Sequence, residues 1–230
     1  LDKNDPEYYA KQGDTTERFI AENSIVKIYG SEGRREVVDF CLQIFGGYGF
    51  IEEYPIARAY RDERINRIWE GTNEINRMLC GRDIITKTLT GELGFREYLV
   101  HINDYCSNDV DSGYVGDYKA EVECVEASKA ICALALNEAL SKYGQDIGIE
   151  QVLMEKLADI LIFSYVADST LSRVLQNSYK VDELPGLCVQ AYVAENGMKV
   201  VGYAQKIFNS IFDSNIPKDI QEKIDKLGQR

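Results

Sequence analysis

Residues 43–77 read QIFGGYGFIEEYPIARAYRDERINRIWEGTNEINR, and the fold follows from how this stretch is punctuated. Its glycine cluster, Gly46-Gly47-Tyr48-Gly49, comes after Val37, Val38, Cys41, Ile44 and Phe45. Those apolar residues recur at spacings of three and four, the repeat of a helix with one apolar face. Glycines at its end permit positive φ and close approach by another group, so the cluster reads as a helix end and tight turn. Pro55 suits the first turn of a short helix running to Arg67. The stretch Ile68-Trp69-Glu70-Gly71 breaks the repeat, and Thr72 is an N-cap for a helix carrying Ile75, Met78, Leu79, Ile84 and Ile85. Glu70 is thereby expected on a short loop at a helix N-terminus.

Upstream, Phe19, Ile20, Ile25, Val26 and Ile28 predict a partly buried helix over 16–29. Gly30 is expected to stop it, with Ser31 capping the next helix and Glu32 in its first turn. Downstream, periodicity fades after Gly91, and 91–120 reads as a linker with one short helix around Phe95 to Asp104. Beyond it, Val122–Tyr143, Ile149–Tyr179 and Leu187–Phe212 are long apolar-periodic segments, followed by a short helix after Pro217. Gly144 and Pro185-Gly186 punctuate them. Long helices with brief connections predict an all-α chain whose second half is an up-and-down bundle. The expected division is a helical unit over 1–90, the linker over 91–120, and a helical extension over 121–230.

The composition suits such helices. Of 230 residues, 45% are apolar and 28% charged, and only four are proline. The net charge of −12 argues against a nucleic-acid backbone as partner, which would need clustered Lys and Arg, and membrane contact is not expected either. Six cysteines without a C-x-x-C pair read as reduced thiols, and the single histidine, His101, rules out a His-rich metal site. Reduced thiols suggest a reducing compartment. The expected location is the bacterial cytoplasm in preference to the mitochondrial matrix. No run of about 18 apolar residues is present. The opening on Leu1, without a leader, reads as a cut through a longer protein.

Physics alone assigns a modest chemistry to residues 43–77. A helix N-terminus offers N–H groups and partial positive charge to a carbonyl or anionic ligand. A carboxylate beside it can take a proton whose departing charge those groups stabilise. Blander readings stand beside this one. Arg61-Asp62 reads as a surface ion pair worth under about 1 kcal/mol, and Gly46-Gly47 as a mere turn. Ser24-Ile-Val-Lys27 matches S-x-x-K, but it sits mid-helix without the companion motifs of that serine chemistry. His101 is expected exposed or hydrogen-bonded.

The order Q-x-x-G-G-x-G from Gln43, E-Y-P at Glu53-Tyr54-Pro55, Y-R-D at Tyr60-Arg61-Asp62 and E-G-T-x-E-I from Glu70 resembles the C-terminal signature of the acyl-CoA dehydrogenases. The resemblance covers roughly residues 17–88. It implies a helical-bundle domain here, followed by an extension like that of the very-long-chain members. It also implies FAD, an acyl-CoA substrate, an electron-transfer flavoprotein as acceptor, and a homodimer or homotetramer working in fatty acid β-oxidation. Glu70 then aligns with the base that removes the α-proton of the thioester. Gly71 would lie against substrate, and Arg82 near the CoA portion. Thr72, Asn73 and Glu74 fall where the family contacts FAD. Gln43, Ile44, Phe45, Gly46 and Gly47 fall where it reaches the FAD of the neighbouring subunit. Trp69 departs from the usual Tyr or Phe, which leaves the acyl-chain preference open. Two rivals also stay open: a non-catalytic assembly module on a dehydrogenase scaffold, and an acyl-CoA oxidase. The upstream domains that build most of the family's site lie outside this sequence, so the chain alone is expected to be inactive.

Overall fold

A computed structural model of the chain describes Glu7, Gly13, residues 17–107 and residues 113–229, and among these every regular element is a helix. Two compact units form, Leu1–Ile84 and Ile85–Arg230.

The first unit is built on α1, Ile20–Phe45, which buries Ala21, Ser24, Ile25, Ile28 and Ser31 at helical spacing. Gly30 does not stop it. A mid-helix glycine costs only about 1 kcal/mol relative to alanine, and the buried stripe on both sides outweighs that. Ser31 is consequently no N-cap, and its hydroxyl donates to the Ile28 carbonyl at 3.1 Å. At the C-terminus Gly46 takes φ 59°, and the single turn α2, Gly47–Phe50, follows. A Cβ on Gly49 would stand 2.5 Å from the Leu42 carbonyl oxygen, so this buried position admits only glycine. Next come α3, Pro55–Arg64, and a 3₁₀ turn, Ile65–Arg67. Helix α4, Asn73–Thr90, begins in this unit and runs past its end at Ile84, with Cys80 buried against the Ala21 carbonyl. The later half of α1 leaves Val37, Phe40 and Ile44 exposed, although their spacing is that of a buried face.

After the last turns of α4, the second unit continues with α5, Phe95–Ser107, inside the stretch expected as linker. Then α6, Lys119–Tyr143, leads through a 3₁₀ turn, Gly144–Ile149, into α7, Gln151–Gln176, and α8, Leu184–Ile211. These three long helices pack pairwise, as an up-and-down bundle requires, and α9, Lys218–Gly228, caps them. Pro185-Gly186 lies inside the first turn of α8, where a missing proline N–H costs nothing. The core comprises Ile131 and Leu136 of α6, Met154 and Ile160 of α7, and Ile207 and Phe208 of α8. One polar contact crosses it: the Ser128 and Ser164 hydroxyls meet at 2.8 Å, and each also reaches a backbone carbonyl.

Cys41, Cys80, Cys124, Cys132 and Cys188 are free thiols, with Cys80 and Cys132 buried and Cys188 exposed. The Cys106 side chain lies outside the described residues. Burial pushes the Cys132 thiol up to about 12, which makes it inert at neutral pH. Among the described residues no helix is long and apolar enough to cross a membrane.

Candidate functional site

The loop between α3 and α4 carries two consecutive residues in the left-handed region, Glu70 at φ 56° and Gly71 at φ 79°. Glycine adopts this freely, but glutamate pays about 1 kcal/mol or more, so the surroundings must hold it there. They do so through α1 and the first turns of α4. The Gly71 carbonyl accepts from Lys27 Nζ and from Asn76 Nδ2, both at 2.8 Å. Asn76 also donates to the Thr72 carbonyl at 3.0 Å. The buried Asn73 amide is committed on both sides. Its Oδ1 accepts from Lys27 Nζ at 2.6 Å, and its Nδ2 donates to Ser31 Oγ at 2.9 Å and Glu32 Oε1 at 3.0 Å. Arg77 closes the set with a two-pronged pair to Glu32 at 2.7 and 3.0 Å.

Thr72 does cap α4: its hydroxyl accepts from the Ile75 N–H at 3.2 Å. Thr72→Ala is expected to lower stability of the chain by about 1 kcal/mol, read by thermal unfolding. No change would mean that the cap is replaced by water.

Charge in the loop follows its partners. The Glu74 carboxyl lies below the ordinary range, held by its own backbone N–H and the Thr72 hydroxyl. Two donors of the helix N-terminus are thus already taken within the chain, which narrows what the sequence offered to a ligand. Burial pushes the Glu32 carboxyl up, but hydrogen bonds and charge from Arg77, with Asn73, outweigh it and leave it depressed. A depressed carboxyl stabilises the fold above its unfolded pKa and loses that contribution as pH falls through the folded value. The native chain is therefore expected to lose about 1 kcal/mol more than Glu32→Gln on acidification below about pH 4.5, after discount for its partial exposure. Thermal unfolding at pH 6 and pH 3 reads this, and equal losses would refute it. Desolvation draws the Lys27 ammonium below the usual lysine range, against the opposing pull of Glu74 and Glu32.

The other expected residues lie apart from this loop. Gln43, Ile44, Phe45, Gly46 and Gly47 end α1, about 24 Å along the helix from Lys27 at 1.5 Å per residue. No atom stands within 4 Å of where a Cβ would be on Gly46 or Gly47, and Ile44 is 83% exposed. Arg82 is exposed on α4, about 15 Å beyond Thr72 by the same rise. Arg61 and Asp62 do not pair with each other. Adjacent helical residues point some 100° apart, so Arg61 pairs with Glu52 at 2.9 Å and Asp62 with Arg58 at 3.5 Å. His101 is exposed and lies beside Tyr98, with ring centroids 6.3 Å apart. Among the described residues no group of three His, Cys, Asp or Glu is placed to hold a metal.

Sequence reasoning passed over Lys27, Ser31, Glu32, Asn76 and Arg77 as parts of the site. A signal was present: Lys27 and Ser31 are one turn apart on the stripe that buries Ile28, and Asn73, Asn76 and Arg77 share one face of α4.

Two family models, both described as "Acyl-CoA dehydrogenase, C-terminal domain", match residues 7–85 and 127–218. A "Probable acyl-CoA dehydrogenase" of Bacillus subtilis (strain 168) is 38% identical over 159 residues, covering 67% of this chain and 26% of that protein. The mitochondrial "Very long-chain specific acyl-CoA dehydrogenase" of Rattus norvegicus is 52% identical over 174 residues, covering 67% of this chain and 27% of that protein. A crystal structure of an acyl-CoA dehydrogenase complexed with FAD from Bacillus anthracis superposes with a TM-score of 0.83 at 28% identity. That match covers 90% of this chain and 36% of the other. The chain spans about a quarter of the length of these two curated relatives.

Proposed function

The chain belongs to the acyl-CoA dehydrogenase family, and on that premise we propose that it is the C-terminal part of an FAD-dependent enzyme converting acyl-CoA thioesters to trans-2-enoyl-CoA. The carrying observation is the Glu70-Gly71 turn. An exposed carboxylate sits on two left-handed residues at the mouth of an 18-residue helix, with the polar groups around it committed to holding the loop.

Glu70 takes the proton from the α-carbon of the thioester. An ordinary carboxylate cannot deprotonate an unactivated carbon, so the enolate charge has to be met by donors at the thioester carbonyl. The Glu70 backbone N–H is one such donor in this reading. Gly71 leaves room for substrate beside it, and Arg82 approaches the CoA portion. FAD, when bound, supplies the acceptor for the hydride leaving the β-carbon. Thr72 and Glu74 border it at the start of α4, where Asn73 contributes its backbone alone, since its amide is spent inside the loop. Gln43 to Gly47 fit a second flavin contact: the open Gly46-Gly47 backbone lets a large planar or phosphate-bearing group approach without collision. The separation of about 24 Å along α1 from Lys27, which bonds the loop, supports the view that this second contact serves the neighbouring subunit of a homodimer or homotetramer.

Exposed Val37, Phe40, Ile44, Phe50 and Trp69 support work within a larger protein, because an apolar surface of this kind is ordinarily covered. In this account electrons pass to an electron-transfer flavoprotein, the reaction serves fatty acid β-oxidation, and the helical extension serves assembly. The isolated chain binds FAD weakly and turns nothing over.

The test uses the complete protein carrying this chain. Purification with about one flavin per subunit, and mass-spectrometric detection of enoyl-CoA after adding acyl-CoAs of several lengths, is the expected result. A flavin-free protein, or unchanged acyl-CoA at every length, would overturn the proposal.

A further inference from the structure

We propose that Lys27, on a helix remote in sequence from the loop, is a positioning residue that aims the Glu70 carboxylate. The inference rests on the assignment of Glu70 as the base. Two consecutive left-handed residues form a turn that a free chain leaves readily, because one of them is not glycine. The turn persists when its peptide is held in place. Lys27 Nζ ties it to a side chain of α4, donating to the Gly71 carbonyl at 2.8 Å and to Asn73 Oδ1 at 2.6 Å. Asn76 takes the second lone pair of the same carbonyl. That carbonyl therefore has both acceptor sites filled, and the Gly71–Thr72 peptide cannot rotate without breaking two bonds.

Asn73 is itself anchored. It is 2% exposed and tied to Ser31 and Glu32, so Lys27 joins the loop carbonyl to an anchored side-chain amide. Lys27 in turn is rooted between the fully buried Ile25 and Ile28 of α1. The attitude of Glu70 is thereby referred to the core of the first unit. A displacement of about 1 Å at a catalytic group is enough to cost about 100-fold in rate. A carboxylate on an untethered turn would suffer such a displacement, while the substrate-binding surface would stay largely as it was.

Two measurements separate the clamp from the assigned reaction. In the 230-residue chain, amide hydrogen exchange is followed at Ile75 and Asn76, whose N–H groups bond the Thr72 hydroxyl and carbonyl. Lys27→Met should speed exchange there at least about 10-fold while leaving α1 and the bundle core unchanged. Exchange that rises everywhere means the variant is unfolding, and Lys27→Gln, which keeps a polar but shorter and uncharged side chain, is then used in its place. In the complete enzyme, the same substitution should lower kcat about 10- to 100-fold with KM within about 3-fold, and Lys27→Arg should recover part of the loss. Unchanged exchange overturns the clamp. Faster exchange with unchanged kcat overturns the positioning role. If Glu70→Gln itself keeps full activity, the assigned reaction has failed, and the exchange result still judges the clamp.

Discussion

Under the proposed role, Glu70→Gln in the complete protein is expected to lower turnover by about 10²- to 10⁴-fold, the range that general-base catalysis contributes. The substitution keeps the size and planar end of the side chain and removes the ability to hold a proton. A glutamine tolerates the left-handed φ of 56° no worse than glutamate does, so the loop should keep its shape. Acyl-CoA affinity should remain within a few-fold, because in the proposed role the carboxylate would act on the proton in flight and not on the bound ground state. Glu70→Asp should fall between the two, since its carboxylate is one methylene too short. Steady-state rates with an artificial electron acceptor, beside direct binding of acyl-CoA, read both quantities. A rate loss matched by an equal loss of binding would mean that Glu70 serves to hold substrate.

The second large effect concerns folding. Phe208 of α8 is 0% exposed, in a core it shares with Ile131, Leu136 and Met154. Phe208→Ala removes most of a ring from a close-packed site and is expected to cost about 3–5 kcal/mol. A domain has only about 5–15 kcal/mol to lose, and the melting temperature should fall by about 6–20 °C. Phe208→Leu, which refills much of the volume, should cost well under half as much. Thermal unfolding followed by circular dichroism measures the difference. A small loss on Phe208→Ala would mean that the bundle collapses to fill the space.

The helical class was legible because its signals are local. Pro55, Thr72, Gly144 and Pro217 each stand at or beside a boundary where they were expected, and the apolar repeats of α6, α7 and α8 run nearly their observed lengths. Local signals failed where packing outweighs them. Gly30 looks like a stop, yet the stripe from Ala21 to Ser31 carries α1 across it. Pro185-Gly186 looks like a break, yet both residues fit a first turn.

At the site, the placement of Glu70 on a loop before a capped helix could be read from Gly71 and Thr72 alone. The network behind it could not. Lys27 and Gly71 are 44 residues apart, and Glu32 and Arg77 are 45 apart, so their meeting depends on how α1 and α4 dock. Charged and amide side chains in helices ordinarily face water, and nothing short-range distinguishes those that turn inward. The same holds for Asn73: its motif position suggests contact with a ligand, whereas its burial commits its side chain to the chain itself.

The most direct test of Glu70 as the base is a single turnover without oxygen. The complete protein is mixed with acyl-CoA, and the oxidised-flavin absorbance is followed in the native protein beside Glu70→Gln. The account predicts rapid bleaching in the native protein and none on the same timescale in the variant. Equal bleaching in both would contradict it and move the base to another residue.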